Sequence, residues 1–212
     1  MSRIIAYGCS NTYGEGLPDC WVKNNAGPNP SKFAWPHLLA DKMNLECINL
    51  SKPACSIKYM ANKVLETKFR EDDIVVFMWT YFSRYCFFQD NGLEKRLLIN
   101  DIENKGLDSR NRRYSRKYYQ TFHTNENAII DGYMRINFIK NYLDSKDIIN
   151  HHYTCHEATK GFNLREPNWS IVKIPNIRFS FLDKALDNVH PGIESQKQLA
   201  KEIYEDITVG AN

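Results

Sequence analysis

The sequence predicts an α/β fold built on a central, open parallel sheet, and three observations carry that reading. Apolar runs and amphipathic segments alternate as strand, helix, strand, helix, strand by residue 80, the rhythm of parallel strands joined by crossover helices. The run at residues 74–79, Ile-Val-Val-Phe-Met-Trp, is continuously apolar, as a strand covered on both faces must be. The chain's 212 residues, 42% of them hydrophobic, supply one substantial core and fall short of two, so a single domain over 1–212 is expected.

The first strand is the short apolar run at residues 3–7, closed by Gly8, and the segment CSNTYGEGL behind it reads as a glycine-bearing loop. After a polar stretch, Trp35, Leu38, Leu39 and Met43 recur at helical spacing, with Pro36 early, where a first helical turn tolerates it. Residues 47–50 give a second strand. Ser56 is a natural N-cap for a helix that carries Ile57, Met60, Ala61, Val64 and Leu65 on one face. The third strand follows Asp72 and Asp73.

Residues 81–147 break the rhythm and are expected as an insertion over the sheet edge, holding one amphipathic helix with Ile130, Tyr133, Met134, Phe138 and Tyr142 on its face. Ile148 and Ile149 begin another strand, residues 170–174 and 178–181 are weaker strand candidates, and Ile193, Leu199, Ala200, Ile203 and Ile207 mark a terminal helix.

Twenty-eight Lys and Arg against 25 Asp and Glu give a formal charge of +3, too near balance to call for a nucleic-acid partner. No stretch reaches the roughly 18 apolar residues that cross a bilayer, and the apolar run at the start is too short for a signal-peptide core. A soluble, cytoplasmic protein without a membrane partner is expected. Cys9, Cys20, Cys47, Cys55, Cys86 and Cys155 show no paired spacing and read as reduced thiols. His151, His152, Cys155 and His156 have enough donors for zinc, but so short a tract would have to fold back sharply to give a tetrahedral site. They read as surface or pocket-lining side chains, with no metal. Nucleotide binding is set aside because neither G-x-G-x-x-G nor G-x-x-x-x-G-K-[ST] is present. Arg110, Arg112, Arg113, Arg116 and Lys117, interleaved with Tyr114, Tyr118 and Tyr119, read as a solvated face. The functional alternative is a grip on a nucleic-acid backbone or an anionic glycan.

Ligands of open parallel sheets bind beyond the carboxyl ends of the strands, and Ser10 stands just past the first one. A serine hydroxyl attacks a carbonyl when a base takes its proton and a third group orients that base. Asp187 and His190, three apart in the turn DNVHPG, have the spacing that returns a carboxylate to one imidazole nitrogen while the other faces a serine.

Together these blocks resemble the SGNH, or GDSL, hydrolase family. Its first block, Gly-Asp-Ser-x-Thr-x-Gly, stands here as Gly8, Cys9, Ser10, Asn11, Thr12, Tyr13, Gly14, and its last, Asp-x-x-His, as Asp187 to His190. The segment NLSKPACSI at 49–57 is similar to the second block, with Ala54 at the glycine whose N–H serves the oxyanion. The resemblance implies a flavodoxin-like three-layer α/β/α sandwich and hydrolysis of lipid, sugar, thioester or small acyl esters. It implies the triad Ser10, His190 and Asp187, an oxyanion hole from the N–H groups of Ser10 and Ala54, and no cofactor.

The chain departs from the family at two places. Cys9 replaces the usual Asp. The third block, Gly-x-Asn-Asp, is missing, and Trp79, Thr80 and Tyr81 stand after the third strand, where the Thr80 hydroxyl is a candidate for the lost donor. Trp79, Tyr81 and Arg84 are candidate walls of an acyl or sugar pocket, with Trp79 equally suited to the core. The expected function is a serine ester hydrolase acting on a small-molecule or glycan ester, with a carbohydrate O-acetyl group preferred. The alternative is an acyltransferase or a non-catalytic glycan-binding protein of the same fold.

Overall fold

Four parallel strands form the central sheet of the computed structural model, which describes residues 2–103, 109–154, 177 and 181–209. In chain order β1 (Arg3–Tyr7) is followed by α1 (Ser10–Tyr13), a short ribbon of β2 (Trp21–Val22) and β3 (Asn25–Ala26), α2 (Trp35–Met43), β4 (Glu46–Asn49), α3 (Ile57–Glu66) and β5 (Ile74–Trp79). A hairpin of β6 (Tyr85–Phe88) and β7 (Glu94–Leu97) comes next, then α4 (Ser109–Thr121), α5 (Asn125–Asp144), β8 (Ile149–Thr154) and α6 (Ile193–Val209). The sheet order is β4-β1-β5-β8 with every pairing parallel, so the first strand lies between the second and third, as in flavodoxin-like sheets. The strand candidates at 170–174 and 178–181, Phe181 apart, lie outside the described residues, as do Cys155 and His156.

Strand alternation sorts the core into two layers. Ile5, Tyr7, Val75, Phe77 and Trp79 meet Met60 and Val64 of α3 and Ile136, Ile139 and Leu143 of α5. Ile4, Ala6, Val76, Met78 and Tyr153 meet Trp35 and Leu39 of α2 and Leu199, Ala200 and Ile203 of α6. This is the three-layer α/β/α arrangement that the sequence predicts. The helix ends follow the expected chemistry. The Ser56 hydroxyl accepts from the N–H of Tyr59 at the start of α3, and α2 ends on Asn44 in the left-handed region, φ 55°.

Within the segment expected as an insertion at 81–147, α5 packs on the central sheet. α5 buries Ile129, Gly132, Ile136, Ile139 and Leu143 and stands between β5 and β8 in the chain. α5 also carries Met134 and Phe138 on its outer face, 63% and 54% exposed. Apolar residues on both faces blur the helical period, and the sequence therefore pointed to the wrong stripe.

At the amino edge of the sheet, Arg3 donates through Nε and Nη2 to Asp73 Oδ1 and Oδ2 at 2.8 and 2.6 Å, and the N–H of Arg70 adds a bond of 2.7 Å. The pair is buried and ties the start of β1 to the entry of β5. Burial pushes the Asp73 carboxyl up, but the Arg3 guanidinium and the Arg70 N–H outweigh it and hold the group below the usual carboxylate value. Asp73→Asn leaves Arg3 buried without its counter-charge, and urea unfolding at neutral pH is expected to show a loss of about 3–5 kcal/mol. A folded-state value below the unfolded one means that this stabilisation is present above about pH 4 and is lost as pH falls through the depressed value. The gap between wild type and variant should therefore close in acid.

His152 is a core residue. Its Nδ1 accepts from the indole N–H of Trp79 at 3.0 Å, its Nε2 meets Asn150 Oδ1 at 2.8 Å, and its ring stacks on Phe77. Burial, aided by the positive charge of Lys140, pushes its pKa down to about 3, so the imidazole is neutral. This corrects its reading as a surface or pocket-lining group. Cys9, Cys20, Cys47, Cys55 and Cys86 are free thiols. Among the described residues no helix is long and apolar enough to cross a membrane, and no group of three or more His, Cys, Asp or Glu side chains is placed to hold a metal ion.

Candidate active site

Ser10 opens the single turn α1 at the carboxyl end of β1. The carbonyl of Cys9 accepts the N–H groups of Thr12 and Tyr13 at 3.1 and 2.9 Å, and Gly14, with φ 80°, closes the turn by donating to the carbonyl of Ser10. The turn needs Gly8, because a Cβ there would stand 2.0 Å from Thr12 Oγ1. Ser10 is 7% exposed.

The segment resembling the second block packs directly onto this turn. The carbonyl of Gly8 accepts the N–H of Lys52 at 3.1 Å and the thiol of Cys55 at 3.2 Å. The N–H of Cys55 returns to the carbonyl of Lys52 at 3.2 Å, with Pro53 second and Ala54 third in the turn. Ala54 has φ 57°, the positive value that a type II turn requires at its third position. A glycine would adopt it without strain, whereas alanine accepts a cost of roughly 1–2 kcal/mol.

The Asp187 and His190 side chains meet in the loop before α6. His190 Nδ1 lies 2.5 Å from Asp187 Oδ2, while Oδ1 accepts the N–H groups of Val189 and His190 at 2.9 and 3.0 Å. The loop is closed by the N–H of Ala185 on the carbonyl of His190 at 2.9 Å and by an antiparallel bridge between Lys184 and Pro191. Burial pushes the Asp187 carboxyl up, but the His190 ring and the N–H groups of His190 and Val189 hold it below the usual carboxylate value. Asp187 is therefore an anion facing an imidazole, the arrangement that fixes a histidine tautomer.

This loop is seated against the serine turn. A Cβ on Gly16, φ 85°, would lie 2.7 Å from Asp187 Cγ, and the N–H of Leu186 donates to the carbonyl of Gly16 at 2.9 Å. Gln196 of α6 donates to the carbonyl of Asn11 at 3.1 Å and accepts the N–H of Trp35 at 2.9 Å, joining α6, α2 and the serine turn. His190 Nε2 lies 3.8 Å from Glu15 Oε2, and no hydrogen bond joins it to Ser10 Oγ. Such contacts are often long before substrate arrives.

Thr80 and Ser10 each stand three residues beyond a paired position of neighbouring strands, because Tyr7 of β1 pairs with Phe77 of β5. Thr80 is fully buried, and its Oγ1 accepts from Arg84 Nη1 at 2.8 Å, which leaves the hydroxyl proton available for donation. The Arg84 guanidinium lies 4.8 Å from the ring centre of Tyr81. Trp79 does not join this group. Its indole is fully buried, stacked on Phe77 and bonded to His152, because strand alternation turns it into the α3 and α5 layer. Of its two readings, pocket wall and core residue, the structure places Trp79 in the core.

No motif or periodicity signals that the β6–β7 hairpin is latched to residues 52–56. Lys52 pairs with Glu94 at 2.6 Å, Arg96 donates to the carbonyl of Pro53 at 2.9 Å, and the Ser56 hydroxyl donates to Cys86 Sγ at 3.0 Å. The proximity of Gly16 to Asp187 was equally hidden, although its position in the glycine-bearing loop was the available signal.

No protein-family model and no curated protein sequence matches the chain. Two solved structures share its fold at a TM-score of 0.58 and 12% identity. One is an acetyl xylan esterase, Est2A, from the rumen bacterium Butyrivibrio proteoclasticus, and the other is a carbohydrate esterase whose active site is described as having divergent catalytic and non-catalytic binding functions. They cover 99% and 98% of this chain, which spans 64% of the length of each. A lipolytic protein of the G-D-S-L family from Veillonella parvula also aligns, over 98% of this chain and 99% of its own, at 15% identity and a TM-score of 0.39. The likeness to these first two structures is one of fold. Both of those structures are esterases.

Proposed function

We propose that the protein is a serine ester hydrolase in which Ser10 attacks the ester carbonyl, His190 takes the serine proton and later returns it to the leaving alcohol, and Asp187 orients the imidazole. The observation that carries this reading is the ionised Asp187, bonded to His190 and seated against the serine turn across Gly16. Water then releases the acyl group from Ser10 by the same proton path in reverse. The N–H groups of Ser10 and Ala54 serve the tetrahedral oxyanion, with the Thr80 hydroxyl in place of the absent Asn amide. A carbohydrate O-acetyl ester is the preferred substrate, in keeping with the acetyl xylan esterase and carbohydrate esterase among its structural neighbours. Hydrolysis of short p-nitrophenyl esters together with covalent capture of a fluorophosphonate tests the reading. Absence of both would favour the glycan-binding alternative, for which the missing third-block Asn speaks. Acyl transfer to an added alcohol in preference to water would identify an acyltransferase.

Thr80→Val keeps the shape of the side chain and removes the donor, and is expected to lower kcat by about 10²-fold to 10³-fold with little change in KM. Thr80→Ser should restore most of the rate. A folded Thr80→Val protein whose kcat stays within about threefold of wild type would leave the oxyanion to the two backbone N–H groups.

A further inference from the structure

A cavity lies between α5, the first turn of α3, the start of the hairpin and the end of α4. It is partly open, measures about 250 Å³ and is lined among others by Lys58, Arg84, Tyr85, Tyr118, Asn127 and Asp131. The cavity reaches the carboxyl edge of the sheet through Arg84, which also donates to Thr80. It is smaller than the roughly 300–1,000 Å³ of pockets for drug-sized ligands, a size that suits a single ring.

Its charges do not balance. Lys58 Nζ sits 5.3 Å from the ring centre of Tyr85 and 6.0 Å from that of Phe88, and Arg84 bonds only the neutral Thr80 hydroxyl and faces the Tyr81 ring. Among the described residues neither cation pairs with a carboxylate. The third cation of the lining, Arg135, is matched by Asp131 through two bonds of 3.0 and 2.7 Å. His123 Nε2 meets the neutral Asn125 Oδ1 at 3.3 Å. Thr124 and Asn127 bring the N-terminal end of the 20-residue α5 to the cavity wall, adding the positive end of its dipole. The end of α4 opposes it only partly, since the carbonyl of Tyr118 is occupied by the N–H groups of Phe122 and His123 at 2.9 and 3.0 Å. Two half-buried cations without a counter-charge, flanked by tyrosine rings, form a site for a planar anion on an apolar-faced ring.

We infer that this cavity binds a carboxylate-bearing sugar unit, with Arg84 and Lys58 holding the carboxylate and the tyrosine walls packing the ring. Resting on the hydrolase reading, this makes the substrate an ester of an acidic glycan, with the ester bond directed along Arg84 and Thr80 toward Ser10. The cavity owes nothing to the basic run of α4, whose arginines are not among its lining residues.

Titration of the full chain with D-galacturonate and with D-galactose, followed by two-dimensional amide NMR, tests the inference without requiring turnover. Galacturonate is expected to bind about tenfold more tightly than galactose, to shift amides around residues 84, 118 and 127, and to weaken as salt rises from about 0.02 M to about 0.5 M. Lys58→Gln and Arg84→Gln should each cost galacturonate about fivefold or more and leave galactose unchanged. Equal affinity for the two sugars, shifts confined to other parts of the chain, or tighter binding of monomethyl succinate than of galacturonate would overturn the assignment. A protein that binds galacturonate there yet fails to capture a fluorophosphonate would overturn the hydrolase reading and keep the cavity. An active esterase indifferent to both sugars would do the reverse.

Discussion

Ser10→Ala is expected to abolish capture of a fluorophosphonate and to lower kcat on p-nitrophenyl acetate by about 10⁶-fold, the scale on which a triad loses its chemistry when the nucleophile is removed. The substitution takes away one oxygen and little else. The turn around Ser10 is closed by backbone bonds, from Thr12 and Tyr13 to the carbonyl of Cys9 and from Gly14 to that of Ser10, and alanine supports all of them. Alanine is also the better residue inside a helical turn, so thermal stability should stay within about 0.5 kcal/mol of wild type. Loss of rate without loss of stability then assigns the effect to chemistry. Mass spectrometry of the labelled wild-type peptide supplies the position. Capture at Ser51, whose hydroxyl donates to Asn49, or at Ser83 would place the nucleophile elsewhere.

The parts of this fold that were legible in the sequence are those where one short segment carries its own signal. β5 reads from six consecutive apolar residues, α3 from its Ser56 cap and one apolar stripe, and the serine turn from two glycines around a polar loop. The pairing of Asp187 with His190 is local for the same reason. What seats α6 against the serine turn is not local, since the bond from Gln196 to Asn11 spans 185 residues. The hairpin was missed because its anchors, such as Lys52 with Glu94, lie 42 residues apart and are polar, so no periodicity announces them. Trp79 stays between pocket wall and core in the sequence for a related reason. A large aromatic at the end of a strand is as good a pocket wall as a core residue until its partners, Phe77 and a neutral His152, are known.

Asp187→Asn is expected to lower kcat by about 10⁴-fold while leaving KM nearly unchanged, the effect of the wrong histidine tautomer in a Ser-His-Asp triad. The carboxylate now does two things at once. Oδ1 takes the N–H groups of Val189 and His190, and Oδ2 faces His190 Nδ1. An asparagine has one acceptor oxygen, and if it stays with the two backbone N–H groups its amide presents N–H to the imidazole. Nδ1 must then accept, the ring proton moves to Nε2, and the nitrogen that should take the serine proton no longer has a lone pair for it. Nitrogen chemical shifts of His190 should report this exchange directly, with protonated Nδ1 in the wild type and protonated Nε2 in the variant at neutral pH. Because Asp187 sits below its ordinary value in the folded protein, its stabilising contribution is present above about pH 4 and fades only as pH falls through the depressed value. The wild type should accordingly lose more stability than the variant on acidification. An Asp187→Asn protein within about tenfold of wild-type kcat, with the tautomer unchanged, would remove Asp187 from the orienting role and leave the histidine to be fixed by another group.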